Sequence, residues 1–394
     1  MTTTIIITLC VLLLIAYLFD LSASKTRIPS VILLLALGWL VKQLASFAEI
    51  GLPDLSPVLP VLGTVGLILI VLEGSLELEL NETQFPLIAK SSLIALLPML
   101  AISLGLAWVF QQYGGYSFKN SLANSIPLAI ISSAIAIPSA RNLIKGHREF
   151  VTYESSLSDI FGVIFFNFIT LNDNIGTGTV GQFLLELFII LVVSFIATIG
   201  LAFFLNKIKH HIKYVPIILM VVLIYAISKY YHLPGLIFIL LFGLFLGNID
   251  ELRHLKFIEK LHPVDFNKEV HKFRELTTEI AFLVRALFFL LFGFLIETAE
   301  LFNTETILWA AAITASVFII RSVFLLIFKL PLNPLLYIAP RGLITILLFL
   351  SVPEMQQIAI ADKSLIIQVI ILTALFMMFG LMKQKGSLTV SDRQ

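Results

Sequence analysis

Apolar residues occur along this chain in long blocks, separated by short polar stretches that contain proline and glycine. Each block is about 17–25 residues long, the length of helix that crosses a hydrocarbon layer of about 30 Å. Helices satisfy their own main-chain hydrogen bonds inside a bilayer, so blocks of this length predict transmembrane helices. The predicted spans are 4–20, 28–45, 57–76, 87–111, 121–143, 150–171, 180–205, 213–230, 233–248, 277–297, 305–328, 334–352 and 364–382.

Composition agrees with a multi-pass membrane protein. Hydrophobic residues make up 59% of the 394 residues and charged residues 13%, whereas about 25% charged residues is usual in soluble domains. The single cysteine, Cys10, allows neither a disulfide nor a cysteine metal site within one chain. We expect a retained first span, one transmembrane domain over 1–383 and a short tail over 384–394.

Lysine and arginine fall mainly on one side of the predicted spans. Nineteen of the 26 basic residues lie in loops on the side of the C-terminus, and four lie on the opposite side. Cytoplasmic loops carry the excess of basic residues. The sequence therefore predicts a cytoplasmic C-terminus, an external N-terminus and a cell membrane location, with the 249–276 region as an amphipathic cytoplasmic linker.

The richest set of polar residues within a span is the sequence YESSLSD at the start of span six. Ionisable groups deep in a membrane are costly and usually functional or paired. Asp159 is predicted to lie about 12–16 Å along its helix, near the bilayer centre. It is our candidate for holding a proton and a desolvated cation in turn, with Ser158 as a neutral oxygen ligand. The alternative is a buried structural aspartate.

Two spans contain helix-breaking residues at corresponding positions. Pro138 follows Ser132 and Ser133 in span five and predicts a freed carbonyl near residue 134, and the sequence PRG surrounds Arg341 in span twelve. Irregular backbone at membrane depth is tolerated beside a polar cavity and indicates a transporter site. Ordinary helix kinks are the alternative.

Four further charged residues need partners or a role. Arg321 has apolar neighbours in its span, and Glu154 is its predicted partner in a structural ion pair. Glu73 lies at the end of an apolar block. It is either a gate residue or part of an acidic boundary between the span and the following loop. Like Arg341, Arg285 is a candidate gate or core charge; the alternative for Arg285 is that its long side chain reaches the membrane surface.

Several enzyme classes are excluded by missing motifs. The sequence contains neither H-E-x-x-H nor GxxxxGK[ST], and its seven histidines map to loops or span edges. We therefore expect no enzyme activity, no cofactor and no nucleic-acid partner.

These motifs resemble those of the monovalent cation:proton antiporter superfamily along nearly the whole chain. The run from Glu154 to Asp159 is similar to the E-S-x-L-N-D signature of sodium/proton exchangers, whose aspartate is the shared ion and proton site. The stretch SSAIAI is similar to the potassium-efflux type. The sequence departs from the Thr-Asp-Pro motif, since Ala136 and Ile137 precede Pro138, and Ser158 stands in place of asparagine.

The resemblance implies an all-α fold of about thirteen spans, with crossed discontinuous helices, elevator-type alternating access and a homodimer. The inverted repeats are predicted over about 1–171 and 213–383, linked by span 180–205. We expect exchange of sodium, or alternatively potassium, for protons, electroneutral because one titratable carboxylate is present. The predicted ion and proton site comprises Asp159, Ser158, Ser132 and Ser133. A membrane sensor without transport and a cation channel remain alternatives.

Overall fold

The computed structural model describes residues 2–26, 28–49, 54–78, 84–172, 177–207, 213–231, 233, 235–251 and 263–383. All regular structure in these ranges is helical, which agrees with the predicted all-α class. Ten candidate spans are long and apolar enough to cross a membrane, and two more apolar helices are shorter. The predicted number of thirteen spans stays a prediction.

Seven helices pack into a first bundle, called the scaffold bundle here. Its members are α1 (Thr2–Thr26), α2 (Ser30–Phe47), α3 (Val58–Glu77), α8 (Thr177–Lys207), α9 (Tyr214–Tyr230), α10 (Leu236–Gly247) and α11 (Pro263–Leu295).

The other helices form a second bundle, the core bundle. Its members are α4 (Phe85–Gly114), α5 (Phe118–Ala129), α6 (Ser133–Ala140), α7 (Lys145–Leu171), α12 (Thr298–Leu301), α13 (Thr304–Ile327), α14 (Leu343–Leu350) and α15 (Lys363–Lys383). A 3₁₀ turn over Glu354–Gln356 precedes α15. Helix α3 forms the seam, because it packs on α6, α7 and α14 of the core bundle.

Glycine sets the close approach of helices α2 and α11 in the scaffold bundle. A Cβ atom added at Gly38 would clash with the carbonyl oxygen of Leu290, and one added at Gly293 would clash with the carbonyl oxygen of Leu35. Small residues at such a crossing let two backbones come into contact inside a membrane. The scaffold therefore packs tightly at this point.

Side-chain caps explain where two core helices begin. The Ser117 hydroxyl accepts a hydrogen bond from the Asn120 amide at 3.2 Å, at the start of α5. The Asn303 side chain accepts one from the Glu305 amide at 3.0 Å, at the start of α13. Each cap satisfies an amide that has no partner within its own helix.

Two chain segments with irregular backbone meet in the middle of the core bundle. Helix α5 ends at Ala129 and α6 begins at Ser133, while the second irregular segment runs to Gly342 before α14. The Ser132 amide donates to the Pro340 carbonyl at 2.9 Å, so the two segments contact each other directly. The predicted pair of discontinuous helices is therefore present.

The structure corrects two predicted boundaries. The break in span five lies at 130–132, before the predicted position near residue 134, and Pro138 lies inside α6. The 263–276 part of the predicted linker belongs to the membrane helix α11, where Val270 and Phe273 continue its buried stripe. The remainder of that linker, 252–262, and the predicted tail lie outside the described residues.

Candidate functional site

Asp159 lies near the middle of α7. The helix begins at Lys145, so Asp159 is fourteen residues, or about 21 Å, along its axis, and Leu171 ends the helix about 18 Å further on. The side chain is 1% exposed. A carboxylate buried inside a membrane-spanning helix is costly, and such groups are usually functional or paired.

The two carboxylate oxygens of Asp159 have different surroundings. Oδ2 accepts hydrogen bonds from the hydroxyl and from the backbone amide of Ser133, the latter at 3.3 Å. Oδ1 is buried and has no hydrogen-bond partner among the described residues. Ser133 is the first residue of α6, so the start of that half-helix, with its partial positive charge, faces the carboxylate. One oxygen is fixed and the other remains available to a ligand.

Ser158 and Ser132 are close to the break but have contacts different from that of Ser133. The Ser158 hydroxyl oxygen accepts a hydrogen bond from the Ile131 amide at 3.0 Å, which satisfies one amide of the break. The Ser132 hydroxyl is buried without a hydrogen-bond partner in the described ranges. Of the three serines predicted as ligands, Ser133 therefore contacts Asp159 directly, and ligand roles for the other two stay predictions.

Glu154 and Arg321 form a buried ion pair between α7 and α13. The Arg321 guanidinium donates to both Glu154 oxygens, with Nη2 to Oε2 at 2.8 Å, and its Nε donates to the Leu335 carbonyl at 2.9 Å. Both side chains are at most 2% exposed. The predicted contact is present, and it joins two helices to the irregular segment before α14.

Arg341 binds the C-terminal end of α5 through main-chain carbonyls. Its guanidinium donates to Leu128 at 2.8 Å, to Ala129 at 2.9 Å and to Ala339 at 2.8 Å. A positive charge is favourable at a helix C-terminus, where carbonyl groups lack partners. Arg341 thus fastens the second irregular segment to the first.

A polar cavity of about 470 Å³, called the vestibule here, leads toward Asp159 between α3, α6 and α7. Arg141, Lys145 and Arg148 line it at one face of the protein, and Ser133 lines it at the depth of the carboxylate. Because Ser133 also contacts Asp159, the vestibule ends one residue away from the buried acid.

Glu73 and Arg285 line the same vestibule from the scaffold bundle. Arg285 Nη1 lies 3.9 Å from Glu73 Oε2, and Arg285 is 6% exposed. Arg285 is therefore directed to Glu73 inside the protein, so the alternative of a side chain that reaches the membrane surface is wrong. The separation is longer than a hydrogen bond, so the two side chains form an ion pair without direct hydrogen bonding.

A second cavity of about 270 Å³ lies toward the other end of α7. Val163, Phe166 and Thr170 line it, together with Lys229. Val163, Phe166 and Thr170 follow Asp159 by one to three turns of α7. Neither Asp159 nor Ser133 lines this cavity. The candidate site is thus nearer to the vestibule than to the opposite cavity.

Comparison with known proteins agrees with this geometry. The sequence profile described as "Sodium/hydrogen exchanger, transmembrane" matches residues 10–383. This match covers most of the chain. The protein belongs to the sodium/hydrogen exchanger family. No curated protein matches the chain significantly in sequence.

The fold of this exchanger is similar to that of a sodium proton antiporter from Methanocaldococcus jannaschii. The structure of that antiporter at pH 8 has a TM-score of 0.72 and 18% identity, covering 96% of this chain and 99% of that one. A structure from an electron microscopy map of the same antiporter has a TM-score of 0.69 and 18% identity, covering 99% and 98%. The shared fold is that of an antiporter.

Some contacts of this exchanger site had no signal in the sequence. The Ile131 amide pairs with the Ser158 hydroxyl, 27 positions away in the sequence. The Ser132 amide pairs with the Pro340 carbonyl, 208 positions away. Arg141, at the end of α6, lies 3.4 Å from Asp20 of α1 and so bridges the core and scaffold bundles. Charge patterning could have suggested the last pair, because both residues were predicted near the cytoplasmic face.

Proposed function

We infer that this protein exchanges a monovalent cation for a proton, with Asp159 as the binding site for both. The observation that supports this most strongly is the position of Asp159, buried at mid-helix with one free oxygen and one residue from a polar cavity. Membership in the sodium/hydrogen exchanger family agrees with the proposal.

Competition for one carboxylate supplies the coupling. A proton and a cation cannot both neutralise Asp159 at once, so binding of one releases the other. An unpaired charge inside the membrane is unfavourable, and occupation by either cation or proton removes it. Movement of the occupied site is therefore easier than movement of the empty one.

We propose elevator-type movement of the core bundle against the scaffold bundle. Asp159, Ser133 and the two irregular segments all belong to the core bundle, where Arg341 and the Glu154–Arg321 pair fasten them together. The scaffold helix that packs most extensively on the core bundle is α3, against α6, α7 and α14. A rigid core of this kind carries its site as a unit.

Sodium is the cation we propose first, because the family description and the name of the similar solved antiporter both specify sodium. Potassium remains the alternative, because SSAIAI resembles the potassium-efflux type. One acidic side chain, that of Asp159, contacts the break directly among the described residues, and the residue before it is Ser158 and not a second acid. One-for-one, electroneutral exchange follows from this arrangement.

We further propose a homodimer in the cell membrane, with the vestibule open to the cytoplasm. The basic rim of the vestibule supports this orientation. Helix α8 carries large exposed apolar side chains, among them Leu184, Phe188 and Phe195. Such a face suits contact with lipid or with a second copy of the chain.

The test is flux in proteoliposomes with a pH-sensitive dye inside. Addition of sodium or potassium outside should move protons outward at zero membrane potential, and an imposed membrane potential that does not depend on a sodium or potassium gradient should leave the rate unchanged. A channel would carry cations without proton movement, and a sensor would bind cations without any flux. Asp159→Asn should abolish the signal, and full activity of this variant would overturn the proposal.

A further inference from the structure

Ser156 lies on the same face of α7 as Asp159, one helical turn closer to the vestibule. Residues three apart on a helix are neighbours, with Cβ atoms about 5–6 Å from each other. Ser156 is 2% exposed, and its hydroxyl oxygen has no hydrogen-bond partner among the described residues. It therefore shares two properties with Asp159 Oδ1: burial and a free lone pair.

The neighbouring serine, Ser155, differs from Ser156 in its hydrogen bonding. Ser155 Oγ donates to the Val151 carbonyl at 2.7 Å, within its own helix. Serines in membrane helices commonly satisfy themselves in this way. Ser156 departs from that pattern, and a buried polar atom without a partner needs an explanation.

Gly74 of α3 faces Ser156 across the seam between the bundles. A Cβ atom at Gly74 would lie 3.1 Å from the Ser156 hydroxyl oxygen and 3.5 Å from Ile137 of α6. Gly74 and Ile137 both line the vestibule, as does Ser133. The absence of a side chain at Gly74 leaves room beside the buried hydroxyl, next to residues that line the vestibule.

We propose that Ser156 is a further ligand of the transported cation, acting with Asp159, and that Gly74 leaves room for the cation beside its hydroxyl. This proposal rests on the proposed function of Asp159. A cation leaving the vestibule loses its water on one side and needs neutral oxygens in exchange. Ser156 Oγ supplies one of them, next to the carboxylate that neutralises the charge, and both travel on α7.

The Ser156 hydroxyl also determines which cation is favoured. A smaller monovalent cation holds its water more strongly, so loss of one protein oxygen weakens its binding more than that of a larger one. Removal of the hydroxyl should therefore raise the apparent KM for lithium and sodium more than that for potassium.

The experiment measures the apparent KM for lithium, sodium and potassium in proteoliposomes containing Ser156→Ala, Ser156→Thr or Gly74→Ala. We expect Ser156→Ala to raise the sodium KM about five- to tenfold with the maximal rate within about twofold. Ser156→Thr keeps an oxygen and should stay within about twofold of the parent. Gly74→Ala should raise the KM by crowding the hydroxyl.

Ser194→Ala is the matched control. Ser194 is a fully buried serine of α8 whose hydroxyl donates to the Ile190 carbonyl, and it is remote from the vestibule. Its kinetic constants should match those of the parent. Melting temperatures in detergent show whether each variant is folded.

Calorimetric binding of sodium to the purified protein separates the two proposals. If the parent binds and exchanges sodium but Ser156→Ala and Gly74→Ala leave its affinity and KM unchanged, the role of Ser156 is overturned alone. If the parent binds sodium without flux, the proposed function fails, and the affinity of Ser156→Ala still decides the ligand role. Absence of binding by the parent overturns both.

Discussion

Asp159 and Ser133 are joined by two hydrogen bonds to a single carboxylate oxygen, one from the Ser133 hydroxyl and one from its backbone amide at 3.3 Å. Because both donors begin the half-helix α6, the carboxylate is tied to the broken span on one side only. The other oxygen has no hydrogen-bond partner in the part of the chain that the structure describes. In the proposed mechanism, this asymmetry lets the carboxylate hold its position and still exchange its ligand.

Ser133→Ala should move the pH dependence of exchange upward. The hydroxyl stabilises the charged carboxylate, so its loss favours the protonated form, and a higher pH is needed before a cation can bind. Hydrogen bonds to charged groups contribute about 1.5–3 kcal/mol, and about 1.4 kcal/mol corresponds to one pH unit. A shift of about one to two units is expected in the pH profile of sodium-dependent flux.

Ser139→Ala is the control for this shift. Its hydroxyl donates to the Ile135 carbonyl at 2.7 Å within the same half-helix. The pH profile of this variant should superimpose on that of the parent. A Ser133→Ala profile that also superimposes would remove the hydroxyl from our account.

Glu154→Gln should destabilise the protein strongly. It leaves the buried Arg321 without its bidentate partner, and loss of one member of a buried pair reduces the free energy of unfolding by about 3–5 kcal/mol. Thermal melting in detergent measures the loss. Glu149→Gln removes the exposed pair with Lys145 at 3.5 Å and should change stability by at most about 1 kcal/mol. Equal melting temperatures for the two variants would contradict a structural role for Glu154.

Arg341→Lys should impair exchange nearly as much as Arg341→Gln. The planar guanidinium donates at the same time to carbonyls of α5 and of its own segment. The ammonium group of lysine has a single nitrogen and cannot reach all of these carbonyls at once. Flux of both variants relative to the parent is the measurement. Full activity of Arg341→Lys would show that charge alone suffices at this position.

The Asp20–Arg141 ion pair should influence the balance between states of the exchanger. It bridges the scaffold and core bundles at 3.4 Å, with Arg141 half exposed. Surface pairs contribute about 0–1 kcal/mol, so Asp20→Asn should alter the exchange rate by at most about fivefold. Arg141→Gln should have the same effect, and the double variant should equal either one. Strictly additive effects would show that the two residues act independently.

Local signals were enough to predict the helices and the buried acid of the core bundle. Long apolar blocks predicted the helices, and an aspartate within such a block predicted the buried acid, since both depend on residues near each other in sequence. The partner of Arg321 was predicted because few acids lie at matching depth. A buried arginine needs a partner of opposite charge, and this requirement limits the number of candidate partners.

The position of the break was not predictable from local sequence. Pro138 lies inside α6, whereas the backbone opens at 130–132, where Ser158 and Pro340 supply other partners for the amides. Ala136 and Ile137, compared above with the Thr-Asp-Pro motif, lie within regular helix. Contacts between residues distant in sequence thus decide where the helix ends.

Packing between residues distant in sequence also explains why α11 begins earlier than predicted. Polar residues before 277 suggested a surface linker, but Phe273 and Thr277 are fully buried and continue the apolar stripe of the span. The helix extends beyond the apolar block because one face still packs on the scaffold bundle.

The central claim is that one carboxylate, Asp159, binds both the proton and the cation. The most direct measurement is the apparent KM for sodium as a function of pH on the same side of the membrane, with the pH on the other side held constant. Competition predicts that this KM rises about tenfold per unit of falling pH in the acidic range, with an unchanged maximal rate, and that Asp159→Asn shows no flux. A KM that does not depend on pH, or sodium-driven proton flux in Asp159→Asn, would contradict the account.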